Sequence, residues 1–373
     1  MSKPMLFSPG PVMVEECVRE AQCHYDICHR SKEFEALFAN IQKNILRLFR
    51  ADETYFPVVV SGSGTSANET VLSSVFKNKD EAVLLVSNGE FGGRLEQIID
   101  KYGIKKVKPN FEWNEYPDLD VIETALKENE GVKVIACVYH ETSTGMINPI
   151  GEIGELAKKY NKIFYVDAVS AAAGEDINVV KQNIDIITSV AGKCLGGFPG
   201  SAYICAKEAV LSNIKEEDCK NIYLNLAKHY AMAKKCCQTP NTPNVTDFFA
   251  LNKALERLLD VEGLENRISR YRSNAAFLRD EFKKIGLKFL IEDENKMSNT
   301  VTSVFMPEGK DVNKFVADME ESGYVVYPGK GKYLEQGLFQ VANMGTITKD
   351  DCVKFIEVLK SNLQKQADKA VTA

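Results

Sequence analysis

The sequence predicts an α/β protein built on a mostly parallel sheet, and two observations predict it. Apolar runs of strand length alternate with longer amphipathic stretches through the first two-thirds of the chain, the pattern of βαβ units covered on both faces. Three of those runs end in chemically capable turns: a Gly/Ser/Thr cluster, an aspartate and a lysine. In such sheets ligands gather beyond the carboxyl ends of the strands.

In chain order, "VVVSGSGTSANETVLSSVF" (58–76) reads as a strand, a Gly/Ser/Thr turn and a helix. "EAVLLVSNG" (81–89), "VKVIACVYH" (132–140), "KIFYVDAVS" (162–170), "IDIITSVAG" (184–192) and "SAYICAK" (201–207) read as buried strands. "GRLEQIIDKYG" and "IGEIGELAKKYN" supply helices between them. From about 246 to 286 the pattern is helical, in "VTDFFALNKALERLLDVEG" and "LENRISRYRSNAAFLRDEFKKIG", broken near Gly263. Strands and helices resume from "KFLI" to "TKDDCVKFIEVLKSNLQKQ", which predicts a smaller α+β domain joined to the first by long helices. The closing "ADKAVTA" is expected to fray. The expected division is an N-terminal arm at 1–20, a large domain at 21–255 and a small C-terminal domain at 256–373.

A chain of 373 residues exceeds one ordinary domain. Hydrophobic residues at 45% and charged residues at 26% are those of a soluble globular protein. A net charge of −6 argues against a nucleic-acid or anionic-membrane surface. No segment approaches the about 20 apolar residues that span a bilayer, and "MSKPMLFSPG" lacks an apolar signal core. Ten scattered cysteines without a framework then imply reduced thiols and a cytoplasmic location. There is no C-x-x-C pair, and His24, His29, His140 and His229 lack metal-site spacing, so no metal is expected.

Backbone N–H groups at a helix start, with hydroxyls of Ser63, Thr65 and Ser66, make a cradle suited to phosphate. An ordinary capped helix explains the same turn equally well. Asp167 ends an apolar strand, where a carboxylate is costly without a partner. Lys193 follows 26 residues later, one strand further along, so both can face one pocket. "GKCLGG" around it is not a nucleotide P-loop, because Ile187 and Cys194 stand where that motif needs Gly and Ser or Thr. Cradle, acid and lysine in this order are what pyridoxal phosphate needs: an anion site, a carboxylate for the pyridine nitrogen, and an amine for the Schiff base.

Nearly the whole chain resembles a class V, fold type I aminotransferase. The signatures are "LFSPGPV", "HRSKEF", "SGSGTSANE", "NGEFGGR", "HETSTGMINPI", "VDAVSAAAG", "GKCLGGFPG", "TPNTPNVTDFFAL" and "RISRYRSNA". The branch is that of 2-aminoethylphosphonate:pyruvate and alanine/serine:glyoxylate transaminases, and "HRSKEFEALF" with "GKCLGGFPG" leans toward the former. The resemblance implies a seven-stranded, mostly parallel sheet in the large domain and pyridoxal 5′-phosphate as cofactor. It implies Lys193 as the Schiff-base lysine and Asp167 as the pyridinium partner. Ser63, Gly64 and Thr65 fall at the phosphate, Phe91 against the cofactor ring, and Ser143 or Thr144 near the ring oxygen. Ser170 is a further contact, Gly10 and Arg30 fall on the substrate side, and Thr242 reaches the phosphate of a neighbouring subunit, which implies a homodimer with shared sites. At Gln340 the family usually has the arginine that clamps a carboxylate, and glutamine supplies neither its charge nor its fork. Arg30, Lys330 or Lys332 are candidate replacements. The implied activity is ping-pong transamination from a small amine, with 2-aminoethylphosphonate and pyruvate as the expected pair. An alanine or serine:glyoxylate transaminase is the alternative. A desulfurase or lyase fits less well, because after Cys237 the chain has only Cys352, within a helical pattern, and Gly192 precedes the lysine.

Overall fold

The computed structural model describes residues 3–371, with side chains described as far as residue 364. The chain opens with β1 (Met5–Leu6) and α1 (Glu16–Ala21), then α2 (Lys32–Leu48), β2 (Tyr55–Gly62), α3 (Gly64–Leu72), β3 (Ala82–Val86), α4 (Glu90–Lys101) and β4 (Lys105–Val107). It continues through α5 (Leu119–Glu128), β5 (Val132–Val138), the hairpin of β6 (His140–Glu141) and β7 (Met146–Ile147), α6 (Ile150–Lys159), β8 (Ile163–Asp167), β9 (Ile186–Val190), β10 (Gly200–Lys207) and α7 (Glu208–Leu211). Next come α8 (Leu226–Cys236), α9 (Val245–Glu256), a π-helical turn at Arg257–Glu262, and α10 (Leu264–Lys284). The last elements are β11 (Lys288–Phe289), β12 (Val301–Phe305), α11 (Val312–Glu321), β13 (Tyr324–Val325), β14 (Tyr327–Pro328), α12 (Lys332–Glu335), β15 (Leu338–Ala342) and α13 (Lys349–Val371).

Seven strands form the main sheet in the order β2-β10-β9-β8-β5-β3-β4. Five of them, from β9 to β4, pair in parallel, and β10 runs antiparallel between β2 and β9. The chemistry of connection explains the reversal: residues 191–199 link β9 to β10, too few for the dozen or more that a parallel crossover needs. Lys193 lies in that short link. The central strands are buried along their whole length, as β3 and β9 show, which is why they read as unbroken apolar runs.

A second sheet, β11-β12-β15-β14, is antiparallel throughout. Its core includes Leu278, Phe282, Val304, Phe315, Phe339, Phe355 and Leu359. The N-terminal arm belongs to this core: β1 pairs with β13, and Phe7 is buried with its ring stacked 4.2 Å from Phe355. At the other end the backbone of α13 stays helical to Val371, and the fraying expected of "ADKAVTA" otherwise lies outside the described residues. Among the described residues, no helix is long and apolar enough to cross a membrane.

Candidate active site

A cavity of about 240 Å³ opens where β2, β5, β8 and β9 end. It is lined by Ser63, Gly64, Thr65 and Asn68 of the β2–α3 turn, Phe91 and Arg94 of α4, and His140 and Thr142 of the hairpin. Asp167 and Ser170 follow β8, Lys193 follows β9, and Gly10 comes from the arm. Eight residues expected from the sequence therefore face one space: Gly10, Ser63, Gly64, Thr65, Phe91, Asp167, Ser170 and Lys193.

Ser63 stands at the N-cap of α3 in extended backbone, and its hydroxyl makes no capping bond. The first N–H groups of the helix are thus free to meet an anion in the cavity. Gly64 is set by packing: a Cβ there would come 2.5 Å from the Val169 side chain.

Asp167 is 4% exposed. One carboxylate oxygen accepts from Asn68 Nδ2 at 2.6 Å and the other from the Val169 N–H at 2.9 Å. Asn68 is itself oriented by Tyr165 and Thr188, whose hydroxyls donate to its Oδ1 at 2.8 and 2.7 Å. Burial pushes the Asp167 carboxyl above its usual range, opposed by these bonds and by the charges of Arg94 and Lys193. The carboxylate is therefore held in place but lacks a cation in direct contact, which a protonated ring nitrogen supplies.

Lys193 is half-buried, and its Nζ donates to the Pro9 carbonyl. Burial brings its pKa down to about 8; the positive charges of Lys330 and Arg94 push the same way, while Cys194 and Asp167 oppose them. Gly10 admits the lysine: with φ +122°, it lies where a Cβ would come 2.6 Å from Nζ.

The wall carrying Phe91 and Arg94 is held by Glu141, which is fully buried. Its carboxylate accepts from the N–H groups of Phe91 at 3.2 Å, Gly92 at 3.0 Å and Ser143 at 3.3 Å, and from the Ser143 hydroxyl. An acid at the start of α4 also matches the positive end of the helix. The Ser143 oxygen accepts from the Glu90 N–H at 3.1 Å, and the Thr144 hydroxyl donates to the Glu141 carbonyl at 3.1 Å. Both hydroxyls are thus spent inside the hairpin turn, and neither lines the cavity. Thr142 does. Three adjacent hydroxyl residues in "HETSTG" carry no sequence signal to separate them; only the turn geometry does.

His140 is a second residue that sequence reasoning did not place here. Its Nδ1 meets the Ser170 carbonyl at 3.1 Å, so that nitrogen carries the proton. Nε2 is then a buried acceptor without a partner. Burial lowers the imidazole pKa to about 4, so the ring is neutral.

Gln340 is 2% exposed and does not line the cavity. Its amide donates to the Thr142 carbonyl at 2.8 Å and to Ser303 Oγ at 2.9 Å, tying β15 to the hairpin turn. Arg30 donates to Gln238 Oε1, the Thr239 carbonyl and the Pro240 carbonyl, away from the cavity, and Thr242 is exposed. Lys332 lies over the ring of Tyr333. Lys330 lies 5.2 Å from the centre of the Phe91 ring, and Arg94 lies 5.0 Å from the same centre. Arg94 was legible: in "EFGGR" it follows Phe91 by three residues, so the two share a helix face.

An anion cradle, a buried carboxylate lacking a cation, an unpartnered imidazole acceptor and a lysine amine of lowered basicity match the parts of pyridoxal phosphate. The aminotransferase class-V family profile matches residues 13–331. An uncharacterized aminotransferase of Methanocaldococcus jannaschii is 34% identical over 92% of this chain and 88% of its own. A 2-aminoethylphosphonate–pyruvate transaminase of Salmonella paratyphi C is 30% identical over 96% of this chain and 97% of its own. The crystal structure of an alanine–glyoxylate aminotransferase from Nostoc sp. superposes with a TM-score of 0.88 at 26% identity, covering 97% of this chain and 96% of that one. Fold, sequence and pocket converge, and the chain belongs to the class-V aminotransferases, enzymes of fold type I that depend on pyridoxal 5′-phosphate.

Proposed function

We propose that this protein moves an amino group from 2-aminoethylphosphonate to pyruvate. The observation that carries the reading is a single cavity holding Lys193, Asp167 and the α3 N-terminus together with Arg94, a cation available to an anionic donor. Relatives about 30% identical that are named for this reaction support the same donor.

Bound pyridoxal phosphate supplies an aldehyde that condenses with amines and a ring that accepts electrons from the carbon beside them. In this reading Ser63, Gly64 and Thr65 hold the phosphate through the α3 N-terminus, and Asp167 keeps the ring nitrogen protonated. Phe91 would cover the ring, and Thr142 and Ser170, which line the same cavity, would border it. Lys193 would hold the cofactor through its amine, and its Nζ would move the proton at the donor carbon that bears nitrogen. A lysine of pKa about 8 is suited to both tasks, since it exists in both protonation states near neutral pH. The same reading takes the protein as a homodimer with shared sites, in which exposed Thr242 would reach the phosphate of the second copy. Ten unpaired cysteines support a reducing, cytoplasmic setting.

The structural likeness to an alanine–glyoxylate aminotransferase favours a second reading, alanine or serine as donor and glyoxylate as acceptor. Absorption spectra of the loaded enzyme, recorded before and after separate additions of 2-aminoethylphosphonate, L-alanine and L-serine, decide between them. Loss of the bound-aldehyde band with the phosphonate alone supports the first reading; loss with alanine or serine alone replaces it with the second.

A further inference from the structure

Arg94 and Lys330 approach the same aromatic ring from different units of the fold, Arg94 from α4 beside the main sheet and Lys330 from the loop between β14 and α12. Neither side chain forms an ion pair or hydrogen bond among the described residues. Their distances to the shared ring put the two charges no more than about 10 Å apart, a spacing at which one anion could be drawn to both. Arg94 and Phe91 line the cavity, and Lys330 reaches the ring of Phe91 from the small unit.

Position 340, in contrast, is closed to an anion. Both amide hydrogens of Gln340 are taken by the Thr142 carbonyl and Ser303 Oγ, and the side chain is buried behind the cavity wall. Tyr327 of β14 pairs directly with Gln340, and Lys330 follows three residues later. The small unit therefore presents a cation from the neighbouring strand end while position 340 serves as a tie.

We infer that Arg94 and Lys330 together form the site for the donor's anionic group, and that this two-cation site takes a phosphonate dianion in preference to a carboxylate. Arg94 supplies the planar fork and Lys330 a point charge from the small unit. The preference rests on the phosphonate reading above; the site itself does not.

The test uses ethylphosphonate and propionate, which carry the anion without the amine, titrated calorimetrically into the cofactor-loaded enzyme. Ethylphosphonate is expected to bind more tightly than propionate. In enzyme saturated with cofactor, Arg94→Gln and Lys330→Gln are each expected to weaken it about tenfold or more. Arg94→Lys is expected to recover part of the loss. Propionate binding as tightly as ethylphosphonate, and equally dependent on the two cations, upholds the site and removes the phosphonate preference. Binding of both anions that ignores the two substitutions, absence of binding by either anion, or loss confined to cofactor affinity overturns the inference.

Discussion

Lys193 should capture the cofactor's aldehyde with a midpoint near pH 8. The perturbation is its surroundings: burial first, then the positive charges of Lys330 and Arg94, favour the neutral amine. At pH 7.5 a lysine of pKa about 8 is about one-quarter neutral, whereas an ordinary lysine is neutral in about one molecule per thousand, a gain of roughly 200-fold in reactive amine. The assay is stopped-flow absorbance of cofactor-free protein mixed with saturating pyridoxal phosphate between pH 6 and 10. The rate should rise to a plateau above about pH 9 and vanish in Lys193→Ala. Removing a like charge strengthens the base, so Lys330→Gln should move the midpoint upward and slow capture at pH 7.5. The same depressed pKa links to stability. Between about pH 8 and 10.4 the unfolded chain holds a proton that the folded chain has lost, so the lysine's burial penalty falls as pH rises through that window. A wild-type midpoint above pH 10, or a downward move in Lys330→Gln, would refute the reasoning.

Gly64→Ala should cost about 1–3 kcal/mol in thermal unfolding through contact with Val169, and Val169→Ala in the same chain should restore most of it. Gln340→Ala strands the Thr142 carbonyl and Ser303 Oγ, so denaturant unfolding should show a loss of about 1–3 kcal/mol. Asp167→Asn should lower turnover at least about 10- to 100-fold while the protein still binds cofactor, as read by absorbance and by turnover at saturating substrate; full turnover would remove the carboxylate from the proposed role.

Much of this architecture was legible because the main sheet is buried on both faces. β3, β5, β8 and β9 have no solvent side, so their apolar runs stand out without any alternation to decipher. Asp167 and Lys193 were legible for the same reason, as charges that end such runs. The three-residue edge strand β4, "KKV", has no comparable pattern and was missed. The hairpin was harder still. Thr142, Ser143 and Thr144 are alike in chemistry, and the buried Glu141 decides which hydroxyls face inward by drawing Ser143 to itself. Gln340 looked like a vacancy in the substrate clamp; in three dimensions its amide nitrogen ties two elements together, a role that depends on partners 198 and 37 residues away.

The arm has a practical consequence for anyone modifying this enzyme. Within seven residues it supplies a strand partner for β13, a core aromatic in Phe7, the carbonyl acceptor of Lys193 and the Gly10 carbonyl that receives the Tyr327 hydroxyl at 3.3 Å. Trimming past Leu6 to tidy an expression clone, or fusing a rigid partner directly against that strand, would disturb the Lys193 amine from a position that looks remote on a linear map. Library designs aimed at new substrates should hold Met5 to Pro11 constant and place randomised codons around Phe91 instead.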